Sequence, residues 1–521
     1  MPEAGNRRPA GRGMASAQDI KNRMPITAAL MLATLMNTLD STIANVALPH
    51  MQGSLSASTD QIFWVLTSYI IATAIMTPLA GWLSLRFGRK PMFLISISAF
   101  TVASMLCGVA TSLEEMVIFR LIQGLAGASL MPLSQTVMLD IFPQHQIPRV
   151  MSIWSAAVIM GPIIGPALGG WLTENFTWRW VFYINLPIGI LAFLGVYLFM
   201  ERDEGGRQRP FDFLGFTVLA IFIGSFQLML DRGSTQDWFN SAEIWIETGI
   251  AFVAFILFVI QTVTVDHPFF HRDLAKNANF VACTFFGLFV GMMLFSTTAL
   301  LPSFMQSLLG YSALQSGYAS MPRGVGSLVA FLSVPTLMAT LGARRVLGVG
   351  IVVSCYALWR MAHFNLLMTS ALIMSTGLIQ GFGTGLLFAP LSTLAYATLN
   401  PVHRTEATIV NTMARSLGSS MGISLIQAQV VRNASIAHAR LSEHVIAGSS
   451  KLATALPVPA DPTSPLGASL LNGIVTRQAS MMSYNTIFAW MAVATLALIP
   501  LLLTMRGARV GPPPMQEAHG D

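Results

Sequence analysis

The sequence predicts an all-α polytopic membrane protein of about fourteen spans, and three observations carry that reading. Of its 521 residues, 54% are hydrophobic and only 10% are charged. Soluble domains carry roughly 25% charged residues, so the apolar excess here needs a lipid bilayer to face. Apolar runs of membrane length recur along the chain, and Lys and Arg alternate between the segments that join them.

The runs lie at about 25–47, 62–83, 91–110, 115–140, 149–172, 180–199, 212–231, 243–263, 278–301, 315–340, 345–365, 369–395, 405–430 and 482–505. A span needs roughly 20 mostly apolar residues. With the N-terminus inside, nineteen of the 29 Lys and Arg residues fall in inside segments, whereas the short outside loops hold only Arg179 and Arg232. Both termini are then expected to be cytoplasmic. The net charge of +6 therefore reads as topology and not as a nucleic-acid surface. Residues 1–24 are polar and basic, and the run that follows is too long for a signal peptide's apolar region, so it is expected to stay as the first span. The segment 431–481, with Pro457, Pro459, Pro462 and Pro465 close together, reads as a long outside loop. Cys107, Cys283 and Cys355 lie in apolar runs without metal-ligand or disulfide spacing, which leaves them as small buried residues.

The chain also repeats itself. Leu121-Ile122-Gln123-Gly124 recurs as Leu378-Ile379-Gln380-Gly381, Pro132-Leu133-Ser134 as Pro390-Leu391-Ser392, and Gly161 and Gly165 as Gly418 and Gly422, at an offset of 257 or 258. Pro143 and His145 match Pro401 and His403 at the same spacing. Eight spans separate the copies, an even number, so the repeat is parallel. The expected domains are a tail at 1–24, a six-helix bundle at 25–200, an inserted two-span hairpin with flanking loops at 201–277, a second six-helix bundle at 278–505 and a tail at 506–521.

Polar residues inside spans are costly and point to function. Asp40 lies well inside the first apolar run, where an ionised carboxylate is expensive. It is suited either to exchanging a proton or contacting a substrate, or to hydrogen-bonding a neighbouring helix. Arg120 and Gln123 sit three residues apart in the fourth run, and a buried Arg needs a partner in the bundle. Its repeat counterpart is Gly377, so the charge belongs to one half only. Gly81, Arg86, Gly88, Arg89 and Lys90 form a basic, glycine-bearing loop after the second run. Gly161, Pro162, Gly165, Pro166, Gly169 and Gly170 string small residues and helix-kinking prolines along the fifth, which favours close helix packing. Arg323 and Arg415 are further buried basic residues with uncertain partners. Glu247, near one end of the eighth run, is an acid that can reach the interface.

These strings carry a family resemblance. Leu39-Asp40-Ser41-Thr42-Ile43-Ala44-Asn45-Val46-Ala47-Leu48-Pro49, Gly81 to Lys90, Arg120 to Ala128, Gly161 to Gly170 and Trp178 to Pro187 together resemble the major facilitator superfamily. Within it they resemble the fourteen-span drug:proton antiporters of the EmrB/QacA type, from about residue 25 to 505. The resemblance implies that the loop of Gly81, Arg86, Gly88, Arg89 and Lys90 holds a cytoplasmic gate shut; Leu85 departs from the pattern there, since the family usually has Asp in the loop after span 2, so the usual charge relay of that gate lacks one member. The resemblance implies two six-helix bundles working by alternating access. It also implies proton-coupled export of small amphipathic compounds or drugs across a bacterial inner membrane, and the string Gly161 to Gly170 indicates an exporter. Arg477-Gln478-Ala479-Ser480 with Tyr484-Asn485 resembles EmrB-like members, which implies a periplasmic adaptor and an outer-membrane channel as partners, with 431–481 as the contact. The alternatives are an exporter of one metabolite or siderophore and, from another class, a membrane enzyme or sensor. No GxxxxGK[ST] loop and no catalytic constellation are present in the sequence, so neither ATP, another cofactor nor an enzymatic activity is expected.

Overall fold

The computed structural model describes residues 22–505 except 59–60, 63, 202–210, 234–235, 267 and 444–464. The described chain is helical throughout. The first half holds α1 (Arg23–Ser54), α2 (Trp64–Phe87), α3 (Arg89–Val109), α4 (Leu113–Gly127), α5 (Leu130–Ile141), α6 (Ile147–Asn175), α7 (Trp180–Tyr183) and α8 (Asn185–Phe199). After α9 (Phe213–Gly233), α10 (Ala242–Thr264) and the short α11 (Arg272–Lys276) come α12 (Ala278–Leu309), α13 (Ala313–Leu341), α14 (Ala343–Met361), α15 (Ser370–Ala397) and α16 (Arg404–Ser442). The described chain ends with α17 (Pro465–Leu496) and α18 (Ile499–Thr504).

Among the described residues, twelve helical segments are long and apolar enough to cross a membrane. The runs at 345–365 and 405–430 are helices too, α14 and α16, but fall outside that set. α14 carries Arg344, Arg345 and Arg360 within 19 residues, each expensive in hydrocarbon, whereas α16 mixes Ser, Gly, Asn and Gln with Arg415 along its length, so that no stretch of it is strongly apolar. The fourth and sixth expected spans are each broken. The fourth divides into α4 and α5 after Gly127, whose carbonyl accepts from Asn37 Nδ2 at 3.1 Å. The sixth divides at Ile184, just before Asn185.

The segment expected as a loop at 431–481 is helical at both ends, which corrects the sequence reading. α16 runs to Ser442, and α17 begins at Pro465. The Ala-, Arg- and Gln-bearing stretch after Gln427 is polar but rich in good helix formers, so the helix continues once it has left apolar surroundings. Prolines 457, 459 and 462 lie outside the described residues.

The repeat is visible in the packing. α1 packs on α6, α2 on α4, and α3 on α4 and α8; in the second half α12 packs on α16, α13 on α15, and α14 on α15 and α17. α9 and α10 pack on each other, and α9 also touches α2 and α16. α10 is the least buried candidate span, and its exposed Phe252, Val253, Leu257 and Val263 present the apolar surface that a bilayer requires. Tight glycines set both halves. A Cβ at Gly161 would lie 2.6 Å from the Thr38 carbonyl carbon, and one at Gly418 would lie 2.0 Å from the Leu288 carbonyl oxygen. Each allows backbone-to-backbone approach of the paired helices.

Candidate functional site

Asp40 is fully buried at the centre of a polar network in the first half. Its Oδ2 accepts from Arg120 Nη1 at 2.7 Å, and its Oδ1 accepts from Gln123 Nε2 at 2.8 Å and from Asn185 Nδ2 at 2.9 Å. Arg120 and Gln123, three residues apart on α4, share a helix face. Arg120 Nη1 also donates to Gln123 Oε1 at 2.9 Å, and its Nε to the Val65 carbonyl at 3.0 Å. The Tyr69 ring lies 4.3 Å from the guanidinium carbon, a cation–π contact that helps hold the charge away from water. The sequence reading named Asp40, Arg120 and Gln123, and the fold brings them together. It missed Asn185, which also donates to Ser104 Oγ at 2.9 Å. An amide just after Trp180, Phe182 and Tyr183 was the available signal, hidden by the more obvious role of those aromatics at an interface.

The glycines of the string Gly161 to Gly170 hold this network closed. A Cβ at Gly165 would meet Thr42 Oγ1 at 2.5 Å, and one at Gly169 would meet Ile43, so α6 seats directly on the turns of α1 that carry Asp40. Thr42 Oγ1 donates to the Gly161 carbonyl at 3.2 Å. Gly170 is buried with them. The prolines face elsewhere. Pro162 and Pro166 line a small cavity with Thr298, Leu301, Ser320 and Arg323, between α6 of the first half and α12 and α13 of the second.

The basic loop closes one end of the molecule. Gly88 has a φ of 91° between α2 and α3, a conformation that favours glycine. Lys90 Nζ donates to the Tyr197 carbonyl at 2.8 Å, near the end of α8, where cations suit the helix dipole. Arg86 lies over the Trp82 ring at 5.1 Å. Arg89 Nη1 pairs with Asp140 Oδ2 at 2.6 Å, and Arg404 Nη1 pairs with Asp140 Oδ1 at 3.2 Å. Asp140 ends the polar face of α5 and clasps the two halves, so a carboxylate stands in this region although position 85 is Leu. Further hydrogen bonds between the halves join α5 to α15 and α16: Thr136 with Thr408 at 2.7 Å, Gln135 with Ser392 at 3.4 Å, and Tyr396 OH to Gln135 Oε1 at 3.3 Å. Gly81 fits against Ile409 there. This end is shut.

Arg323 and Arg415 do not join the Asp40 network. Arg323 Nη2 donates to the Leu294 carbonyl at 3.2 Å. Arg415 Nη2 meets Met131 Sδ at 3.2 Å, and the Trp154 and Phe388 rings each lie 5.6 Å from its guanidinium. Glu247 is also separate. It stands one turn beyond Glu243, which pairs with Arg232 at the end of the α9–α10 hairpin. The sequence shows no metal-ligand spacing, yet the fold brings ligand atoms of His271, Asp273 and His403 within 4.8 Å of one another.

The Major Facilitator Superfamily profile matches residues 30–423. The chain belongs to the major facilitator superfamily. This membership makes it a transporter and not an enzyme. The superfamily member "Multidrug export protein EmrB" of Escherichia coli (strain K12) is 37% identical over 423 residues, covering 81% of this chain and 82% of that protein. "Probable multidrug resistance protein EmrY" of the same strain is 33% identical over 92% of this chain and 94% of its own. "Fatty acid resistance protein FarB" of Neisseria gonorrhoeae is 32% identical over 92% and 95%. The superfamily fold recurs in the human organic anion transporter MFSD10 (TM-score 0.62, 12% identity, 92% of this chain and 99% of that one). It recurs also in the proton:xylose symporter XylE (TM-score 0.59, 13% identity, 92% and 96%).

Proposed function

We propose that this transporter exports small amphipathic compounds across a bacterial inner membrane in exchange for protons, by alternating access. The observation that carries the proposal is the Asp40 carboxylate, wholly buried and held by Arg120, Gln123 and Asn185. Protonating Asp40 removes its attraction to Arg120 and frees the guanidinium; deprotonation restores the pair. Because α6 rests on the same turns of α1 through Gly161, Gly165 and Gly169, a change in that pair acts directly on a helix that faces the second half. The name of EmrB, a multidrug export protein, supports export as the direction, and that of FarB, a fatty acid resistance protein, supports amphipathic molecules as the cargo.

The termini and the loop after α2 are taken as cytoplasmic, on the distribution of Lys and Arg. The clasp of Arg89, Asp140 and Arg404 is then the cytoplasmic gate, and the closed end corresponds to a state that cannot load from the cytoplasm. In this reading α14 and α16 also cross the bilayer, which gives fourteen spans. At about 1.5 Å rise per residue the 19 residues of α14 reach nearly the ~30 Å hydrocarbon thickness. The two bundles are then 25–200 and 278–505, joined by the hairpin within 201–277. The helical extensions of α16 and α17 stand on the periplasmic side, where a periplasmic adaptor could dock and lead to an outer-membrane channel. Arg477 Nε, which donates to the Leu308 carbonyl at 3.0 Å, ties that extension to the second bundle.

The test is reconstitution in proteoliposomes with an imposed pH gradient and a fluorescent amphipathic dye. Asp40→Asn is expected to remove gradient-driven efflux while the protein still inserts and purifies as a monodisperse species. Undiminished gradient-driven efflux in that variant would take Asp40 out of the coupling step.

A further inference from the structure

Among the described residues, two guanidinium groups in the second half have no carboxylate beside them. Arg323 is 5% exposed and Arg415 is 6% exposed. Among the described residues neither forms a salt bridge. Arg323 has one described acceptor, the Leu294 carbonyl, and Arg415 has a thioether and two ring faces. Thioether sulfur is a weak acceptor, and a guanidinium carries five donors. An unpaired buried cation is costly, more so at membrane depth. The contrast with Arg120 is internal to the molecule, since the same side chain in the first half is met by Asp40 at 2.7 Å.

Position adds to charge. Both residues pack against one turn of α12. Arg323 bonds the Leu294 carbonyl, and a Cβ at Gly291 would lie 2.3 Å from the Arg415 carbonyl oxygen. Both also face α6 across the boundary between the halves. Arg323 shares a cavity with Pro162, Ile163 and Pro166, and Arg415 lies over Trp154 two turns away. The surroundings are therefore two cations, apolar side chains and an aromatic face, at the boundary that alternating access must open.

We infer that Arg323 and Arg415 form an anion-recognising subsite on the transport path, which selects an amphiphile with a carboxylate or similar headgroup and an apolar tail. The headgroup supplies the negative charge that the protein lacks here and accepts from the guanidinium donors. The tail packs against Pro162, Ile163, Pro166 and Trp154. This inference rests on the export reading for the identity of the path, but its test does not depend on transport.

The probes are radiolabelled decanoate and decyltrimethylammonium, matched in chain length, and equilibrium binding to the full chain in nanodiscs is read against empty nanodiscs. Decanoate is expected to bind saturably, with Kd raised about ten- to a hundred-fold in Arg323→Gln and in Arg415→Gln, the scale of a lost charge-assisted hydrogen bond. Arg323→Lys, which keeps the charge, is expected to retain part of the affinity and so separates a lost headgroup contact from a folding defect. Decyltrimethylammonium binding is expected to be weaker than decanoate binding and to rise, not fall, in the Gln variants. Discs of phosphatidylcholine alone and discs with added phosphatidylglycerol separate the two sources of an anion. Equal decanoate affinity in both discs supports a transported anion. Phosphatidylglycerol that abolishes decanoate binding and is itself retained only when both arginines are present would make the subsite a lipid site and overturn the substrate assignment. Equal decanoate affinity in the parent and the Gln variants would overturn the inference as a whole. Asp40→Asn is expected to bind decanoate while losing gradient-driven efflux. If the parent binds decanoate but moves neither probe under a pH gradient, the export reading fails and the anion site stands.

Discussion

The two halves of this transporter pack their helices in the same pairs and use their charges differently. In the first half the cation on α4, Arg120, is neutralised within 2.7 Å by a carboxylate from α1. In the second half the equivalent of Arg120 is Gly377, and the cation comes instead from α13, as Arg323. A Cβ at Gly124 would meet the Tyr69 backbone, and one at Gly381 would meet the Arg323 backbone. Arg323 therefore occupies in the second half the place that Tyr69 occupies in the first. Where Arg120 finds Asp40, Arg323 finds, among the described residues, only the Leu294 carbonyl as acceptor. One scaffold thus holds an internally balanced network beside an unbalanced pair of cations. A balanced network is complete without a ligand and can respond to a proton. An unbalanced one is completed by something from outside.

The contrast can be broken most directly by giving both halves the same substitution. Arg120→Gln leaves the Asp40 carboxylate buried without its cation and is expected to destabilise the protein by about 3–5 kcal/mol. Arg323→Gln removes a cation with no anionic partner and is expected to leave the ligand-free protein as stable or more so. Thermal unfolding of the two purified variants side by side decides this, and a comparable loss in both would mean that Arg323 is paired as fully as Arg120. Adding Asp40→Asn to Arg120→Gln is expected to recover part of the stability without recovering proton coupling.

The glycine seats test whether the halves are mechanically alike. Gly161→Val places side-chain atoms against the Thr38 backbone, and Gly418→Val places them against Leu288. Overpacking of this kind costs about 1–3 kcal/mol, and both variants should lose stability by similar amounts. Only Gly161→Val is expected to disturb the turns of α1 that hold Asp40, which would appear as weaker proton coupling at equal expression.

The smallest effect belongs to the clasp. Asp140 meets Arg89 and Arg404 through partly exposed side chains, and such pairs contribute about 0.2–1 kcal/mol each. Asp140→Asn should shift the population toward opening at that end by a few-fold. Cysteine labelling at positions flanking Gly88 would record the change as faster modification, and an unchanged rate would mean that the apolar contacts alone keep that end shut.

The candidate site was legible in part. Asp40, Arg120 and Gln123 stood out because polar residues are rare in apolar runs and each interrupted one. Asn185 interrupted a run in the same way, but it sat among aromatics that suggested an interface. Asp140 was not legible because it ends its run, where a charge needs no explanation, and its partner Arg404 is 264 residues away. Leu85 suggested a gate short of one charge. The fold supplies a carboxylate from α5, and Leu85 lies in a recess lined by Trp82, Phe269 and Ile409 together with Asp212 and Glu406.

By itself the sequence determined that the chain is an all-α membrane protein, that motifs of its first half recur in the second, and which residues place charge inside apolar runs. Composition and spacing suffice for those, because hydrocarbon tolerates few polar groups and a helix satisfies its own backbone. Only the tertiary structure decided which charges meet. Pairing depends on side chains brought within about 3 Å from helices 80 or more residues apart, a geometry set by glycine seats and helix breaks that no local pattern encodes. It also decided that α16 and α17 continue as helices beyond their apolar stretches, because helix propensity persists after apolar character ends.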